Sequence, residues 1–135
     1  EEGLDNVIFI DSVAKDQVAR YWSLLDASII HLKRTELFRT VIPSKLFESM
    51  AMGIPVLLGV EGESADIVKR ETVGIAFQPE NPEELSQAVM TLADDAALRQ
   101  TLTRNGTTAA HQFDRSVLAR NMLELLQDAA GSEIR

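Results

Sequence analysis

The chain has 135 residues, 45% of them hydrophobic, enough for one domain with a real apolar core, and a formal net charge of −8 that argues against a nucleic-acid partner held by phosphate neutralisation. It has no cysteine, which excludes disulfides, thiol chemistry and cysteine-based zinc sites and fits a cytoplasmic protein. No apolar run approaches the roughly 18 residues needed to span a bilayer, and an opening of Glu1-Glu2, without an initiator methionine or a basic-then-apolar stretch, reads as that of a fragment rather than a signal peptide.

In chain order, residues 7–10 (VIFI) are a β-branched and aromatic run between Asn6 and Asp11 and predict a buried strand. Residues 16–25 place Val18, Tyr21, Trp22 and Leu25 on one helical face. A second strand is expected over 27–32, and the polar KRTELFRT after it reads as a long loop at the strand's carboxyl end, where open α/β sheets carry their ligand loops. Residues 44–52 predict a helix ended by Gly53. Residues 54–58 predict a third strand, with Pro55 near its start, where a missing donor is tolerated. A helix over 61–71 follows, opened by a turn whose Gly59 and Gly62 let backbone amides approach a ligand. Residues 74–77 form a short fourth strand, and Asn81, Pro82 and Glu84 make a capping-box helix start. Leu85, Ala88, Val89 and Leu92, then Leu98 and Leu102, then Val117, Leu118, Met122, Leu125 and Leu126 form apolar stripes that read as core. Strands alternating with helices predict an α/β fold with a mostly parallel sheet.

The most informative stretch is residues 38–60, FRTVIPSKLFESMAMGIPVLLGV. It sets one acidic residue, Glu48, in an otherwise apolar helix, where an ionised carboxylate is costly unless it faces a solvated cleft or accepts hydrogen bonds from a ligand. Pro43 suits the first helical position and Ser44 can accept from free backbone donors, so the N–H groups and the positive dipole end form an anion site. Lys45, a cation in the first turn, opposes the dipole by about 0.3–1 kcal/mol, a cost that a docked phosphate offsets. The pattern is phosphates at the helix start and a diol or sugar hydroxyl one turn further in. The plainer alternative makes Lys45 and Glu48 an i,i+3 ion pair and Ser44 a simple cap. Lys33, Arg34, Arg39 and Lys45 fall near this stretch, a local basic bias within an acidic chain that suits an anionic ligand.

The run PSKLFESMAMGIPVLLGVEGESADIV resembles the donor-site signature of the retaining GT-B glycosyltransferases of family four, an E-x7-E motif followed by an Ala-Met-Ala-x-Gly-x-Pro-Val run. Residues 6–13 (NVIFIDSV) resemble that family's strand and turn that cradle the base, and residues 74–82 with the helices after them resemble its closing segment. The resemblance implies that Glu48, on the second glutamate of the motif, contacts the ribose hydroxyls. Thr40 stands where the first glutamate, which contacts the transferred sugar, usually lies. It further implies a base pocket at Asp11, Ser12 and Val13, and a loop of Thr40, Val41, Ile42, Pro43 and Ser44 lying along the sugar and phosphates. Lys45 would act catalytically beside Glu48 by stabilising the leaving diphosphate. The Pro-Ser-Lys variant is similar to that of amino-sugar transferases that build bacterial surface polysaccharides, fucosamine transferases among them.

The implied fold is a Rossmann-like three-layer α/β/α domain with a mostly parallel sheet, part of the C-terminal half of a GT-B fold. The N-terminal acceptor domain and the first strand–helix unit of the donor domain would lie outside this chain, and residues 116–129 would cross back toward the acceptor domain. The implied donor is a nucleoside diphosphate sugar, probed first as a UDP-sugar, with no further cofactor and no metal. The implied acceptor is a polysaccharide or lipid-linked. The full enzyme would be cytoplasmic, at the inner face of the membrane, associating peripherally through its acceptor domain, and this fragment alone is expected to be inactive.

Two other readings stay open on the residues alone: a nucleotide-sugar epimerase of the same two-domain plan, and a non-catalytic nucleotide-binding α/β module. His31 ends a strand and is either structural or reaches the cleft, and His111 reads as a surface residue. No His-x-x-x-His or carboxylate cluster marks a metal site, and Ser12, Ser44 and Ser64 have no neighbouring His and Asp in sequence. Glu61 and Glu63 either flank amides that meet the sugar or diphosphate, or only favour the helix N-terminus that follows.

Overall fold

A three-stranded, all-parallel sheet in the order β1-β2-β3 organises the chain, which a computed structural model describes over residues 3–132. The strands are β1 (Ser28–His31), β2 (Val56–Gly59) and β3 (Gly74–Ala76), with Ser28 opposite Val56, His31 opposite Gly59 and Leu58 opposite Ala76. Parallel neighbours need crossovers, and helices supply them. α2 (Glu36–Arg39) and α3 (Ser44–Ala51) join β1 to β2, and α4 (Glu63–Glu71) joins β2 to β3. α1 (Lys15–Trp22) precedes the sheet. α5 (Pro82–Asp94), α6 (Ala96–Ala110), a 3-10 turn (His111–Phe113) and α7 (Arg115–Ser132) follow it.

β2 is buried at every position, as a central strand covered on both faces must be. Its alternating side chains feed two cores. Val56 and Leu58, with Val60 beyond the strand, join Ile30, Leu46 and Met50 of α3 and Ile67 and Val68 of α4. Leu57 faces the other way, toward Phe77, Ala88 and Leu92 of α5 and Leu102 of α6. The architecture is therefore the expected Rossmann-like α/β/α arrangement of three layers. α6 ends against α3, where a Cβ on Gly106 would lie 3.3 Å from the Met50 carbonyl. Gly53 ends α3 as expected, with φ of +68° and the paired Gly53 N–H to Met50 O and Ile54 N–H to Ser49 O bonds of a Schellman turn.

Several expectations are corrected. Residues 7–10 form no strand: Val7 is 46% and Phe9 95% exposed, and β1 pairs only with β2 among the described residues. Apolar character does not make a strand where no neighbour takes up the backbone N–H and C=O groups. α1 stops at Trp22, so Leu24 and Leu25 lie beyond it in solvent. Within the expected loop 33–40 sits α2, capped by Thr35, whose Oγ1 accepts from Phe38 N–H. α4 begins at Glu63 because Gly62, at φ +79°, is outside helical space. β2 begins after Pro55, which has no N–H to donate. The stripe on α7 is not core in this chain: Leu118, Met122, Leu125 and Leu126 are all exposed, as is Val89 on α5.

Candidate functional site

α3 presents two faces. Leu46, Ser49 and Met50 are buried against the sheet, while Ser44, Lys45 and Glu48 are exposed on the opposite side. Pro43 occupies the N-cap position, one residue earlier in the helix frame than expected, with Ser44 as the first helical residue. Ser44 is the first helical residue rather than the N-cap, and its hydroxyl caps no backbone donor among the described residues, so the simple-cap alternative fails. Neither the Lys45 ammonium nor the Glu48 carboxylate has a partner among the described residues, so the i,i+3 ion pair does not form either. A cation and an anion thus sit one turn apart, side by side on an exposed face at a helix N-terminus. That arrangement can take an anionic group at the helix start and hydroxyl donors one turn further in.

The link into this helix, residues 40–43, is held by the turn between β2 and α4. The hydroxyl of Ser64, a fully buried residue in the first turn of α4, donates to the Val41 carbonyl at 2.9 Å. A Cβ on Gly62 would lie 2.1 Å from the Arg39 carbonyl oxygen, so only glycine lets the two backbones approach this closely. The Glu61 carboxylate receives Arg34 Nε at 3.1 Å and Arg39 Nε at 3.9 Å. Arg39 also pairs with Glu36 at 3.3 Å, so two guanidinium groups and two carboxylates form a local ion-pair cluster beside the loop. Ile42 packs its half-buried side chain on the core, and the Thr40 hydroxyl donates to Leu37 O at 3.0 Å. With its proton committed, Thr40 offers a ligand only lone pairs on a single oxygen.

At the carboxyl edge of the sheet, His31, Gly59 and Phe77 form a row across the strands. The His31 and Phe77 rings stack with centroids 6.2 Å apart and planes within 5°, and a Cβ on Gly59 would sit 2.6 Å from the Phe77 ring and 2.7 Å from His31 Cδ2. Gly59 therefore makes room for rings, and Gly62 for a carbonyl, rather than for ligand amides as expected. His31 Nε2 accepts from Glu80 N–H at 3.0 Å, and the Glu80 carboxylate accepts from Arg34 N–H at 3.1 Å. His31 is structural: it latches the β3–α5 loop to the β1–α2 loop. The capping box of α5 is present in altered form, since Asn81 Oδ1 accepts from Glu84 N–H while the Glu84 carboxylate takes Gln78 N–H and the Asn81 amide.

The remaining expected site residues lie elsewhere. Asp11, Ser12 and Val13 belong to the irregular segment ahead of α1, with Val13 half-buried and the other two exposed, and no hydrogen bond or ion pair joins them to residues 40–48 among the described residues. His111 is exposed in the 3-10 turn, where it helps hold the Asp114 carboxyl below its ordinary value of 3.8; the larger causes are hydrogen bonds from Ser116 and Val117. Sequence reasoning missed Ser64, Gly62 and Glu61 as holders of the loop. The one available signal was a serine on the face of α4 that also carries Val68.

The family model described as "Glycosyl transferases group 1" matches residues 1–109. No curated protein gives a match. Among solved structures, sucrose-phosphate synthase from Thermosynechococcus elongatus matches with a TM-score of 0.71 and 22% identity, over 95% of this chain and 31% of that one. This chain thus spans under a third of that relative, and at such identity the likeness speaks for the fold. No helix among the described residues is long and apolar enough to cross a membrane.

Proposed function

The chain belongs to the group 1 glycosyl transferases, and on that premise we propose that it is the nucleotide-sugar donor-binding domain of a retaining GT-B enzyme of family-four type. The whole enzyme would transfer a sugar from a nucleoside diphosphate, in the first instance UDP, to a polysaccharide or lipid-linked acceptor. One observation carries the reading: Lys45 and Glu48 stand exposed one turn apart in α3, the helix that joins β1 to β2 of a parallel sheet, and neither has a partner among the described residues. In that reading the anomeric C–O bond to the diphosphate breaks, and Lys45 with the α3 amides meets the charge that develops on the leaving group. Glu48 accepts from the ribose hydroxyls, residues 40–44 lie along the sugar and phosphates, and Asp11, Ser12 and Val13 receive the base. Thr40, with one neutral oxygen where the family carries a carboxylate, supports a donor sugar of altered hydroxyl pattern, of which an amino sugar of fucosamine type is our first candidate.

The domain assignment follows the same reading. The acceptor domain and the first strand–helix unit would cover the exposed apolar residues 7–10 and the outer edge of β1, and would place the enzyme at the inner face of the membrane. The proposal includes neither a metal nor a cofactor besides the donor.

A titration of the isotope-labelled chain with UDP, GDP and ADP in turn tests it. The expected outcome is saturable amide shifts over residues 40–48 with one nucleotide. Glu48→Ala is expected to weaken that binding roughly tenfold or more, as the loss of hydrogen bonds to a charged group of about 1.5–3 kcal/mol requires. Lys45→Ala is expected to weaken the diphosphate but not the nucleoside. Both variants should unfold within about 0.5 kcal/mol of the parent, since neither side chain is packed. Unchanged affinity in Glu48→Ala would overturn the ribose assignment, and no shift with any nucleotide would overturn the site.

A further inference from the structure

Among the described residues, Ser49 and Ser64 are completely buried, and each hydroxyl donates to a backbone carbonyl. Ser49 donates to Lys45 O, 2.8 Å away on its own helix. Ser64, also in a helix, instead reaches across to the Val41 carbonyl at 2.9 Å. Its target lies in the least supported part of the chain near the site. The neighbouring turn bonds there, Thr40 N–H to Leu37 O and Val41 N–H to Phe38 O, are both stretched to 3.4 Å. Gly62 brings the two backbones together, because any side chain at that position would collide with the Arg39 carbonyl.

From this arrangement we infer that Ser64 is a positioning residue: its hydroxyl, seated by Gly62, sets the path of residues 40–43 and thereby the placement of Lys45 and Glu48 at the start of α3. The inference rests on the reading of that helix start as the donor site. In the first turn of α4, Ser64 has no helical carbonyl four residues back, and its hydroxyl goes to the Val41 carbonyl of the segment before α3. Ser64 thus spends its single proton on the segment that delivers the two exposed charges, so its loss would act on ligand geometry without touching ligand.

The test compares the parent chain with Ser64→Ala and with Ser64→Cys, which keeps most of the volume but donates weakly. Thermal unfolding, amide hydrogen exchange without nucleotide, and titration with UDP, GDP and ADP are measured for each. Ser64→Ala is expected to exchange several-fold faster at residues 46–50 and to bind the parent's nucleotide roughly tenfold more weakly, with Ser64→Cys between the two. These changes should exceed what the unfolding midpoint accounts for and stay confined to residues 39–50. If the parent binds and Ser64→Ala binds equally well, the positioning role is overturned and the donor-site reading stands. If the parent binds no nucleotide, the donor-site reading fails instead, and the exchange data still decide whether Ser64 holds the loop: unchanged rates at residues 46–50 overturn it. Faster exchange spread evenly through the sheet also overturns it, because that marks a stability defect alone.

Discussion

Gly59 shows how a single residue type is set by neighbours far away in sequence. It lies between His31 and Phe77, whose rings fill the space a side chain would occupy, at 2.7 and 2.6 Å respectively from the missing Cβ. Gly59→Ala should therefore destabilise the domain by about 1–3 kcal/mol, the usual cost of overpacking, seen as a lower midpoint in urea with an unchanged slope. It should also loosen the Glu80 N–H bond to His31, which hydrogen exchange at Glu80 reports. An unchanged midpoint would mean that the rings slide apart freely. The turn glycines were visible in the sequence, but what they accommodate was not, because the intruding groups lie 18 to 28 residues away for Gly59 and 23 for Gly62.

Among the elements, α7 depends most on local chemistry, because its apolar side chains find little to pack against in this chain. Its start is organised by Asp114, whose Oδ1 accepts from Ser116 N–H at 2.8 Å and Val117 N–H at 3.4 Å. Those bonds hold the carboxyl below its ordinary value of 3.8, the Ser116 bonds most, then that of Val117, with the charge of His111 assisting least. A depressed carboxyl favours the folded helix start wherever it is ionised, so the contribution is complete above the ordinary carboxylate range. It is lost as pH falls through the depressed value, below 3.8. Amide protection at Ser116 and Val117 should accordingly fall in that acid window. Asp114→Ala should lower it at neutral pH and remove the pH dependence, whereas an acid transition that survives in the variant would assign it to another carboxylate. The helix itself was legible from its stripe of leucines, but its burial was not, since periodicity records which face is apolar and says nothing of what covers it.

Among the described residues, two runs of exposed large apolar side chains stand out at the scale of the whole molecule: residues 4–10 before α1, and Leu118 to Leu126 of α7. Contiguous patches of this kind mark surfaces that pack against something. Ile8 and Phe9 are 83% and 95% exposed, so replacing both with Asp should leave the unfolding midpoint of this chain unchanged while reducing the binding of an apolar dye. A fall in the midpoint would show instead that the segment packs onto the domain. Charge follows a different division. The chain is acidic as a whole, and beside the β1–α2 loop Arg34 and Arg39 are already paired with Glu61 and Glu36, whereas Lys45 has no ion pair among the described residues.

By itself the sequence determined the alternation of strands and helices, the helix end at Gly53 and the Asn81 cap, and it singled out Lys45 and Glu48 as costly or unusual charges in α3. Each of these follows from local periodicity, a single residue's backbone preference, or the cost of burying a charge. Only the tertiary structure decided that residues 7–10 remain unpaired, that Gly59 and Gly62 serve rings and a carbonyl, that His31 is a latch, and that Ser64 holds the loop before α3. Those outcomes depend on which groups meet across gaps of tens of residues. A strand needs a neighbour, a glycine needs an intruder and a buried hydroxyl needs an acceptor, and none of the three is written next to the residue that requires it.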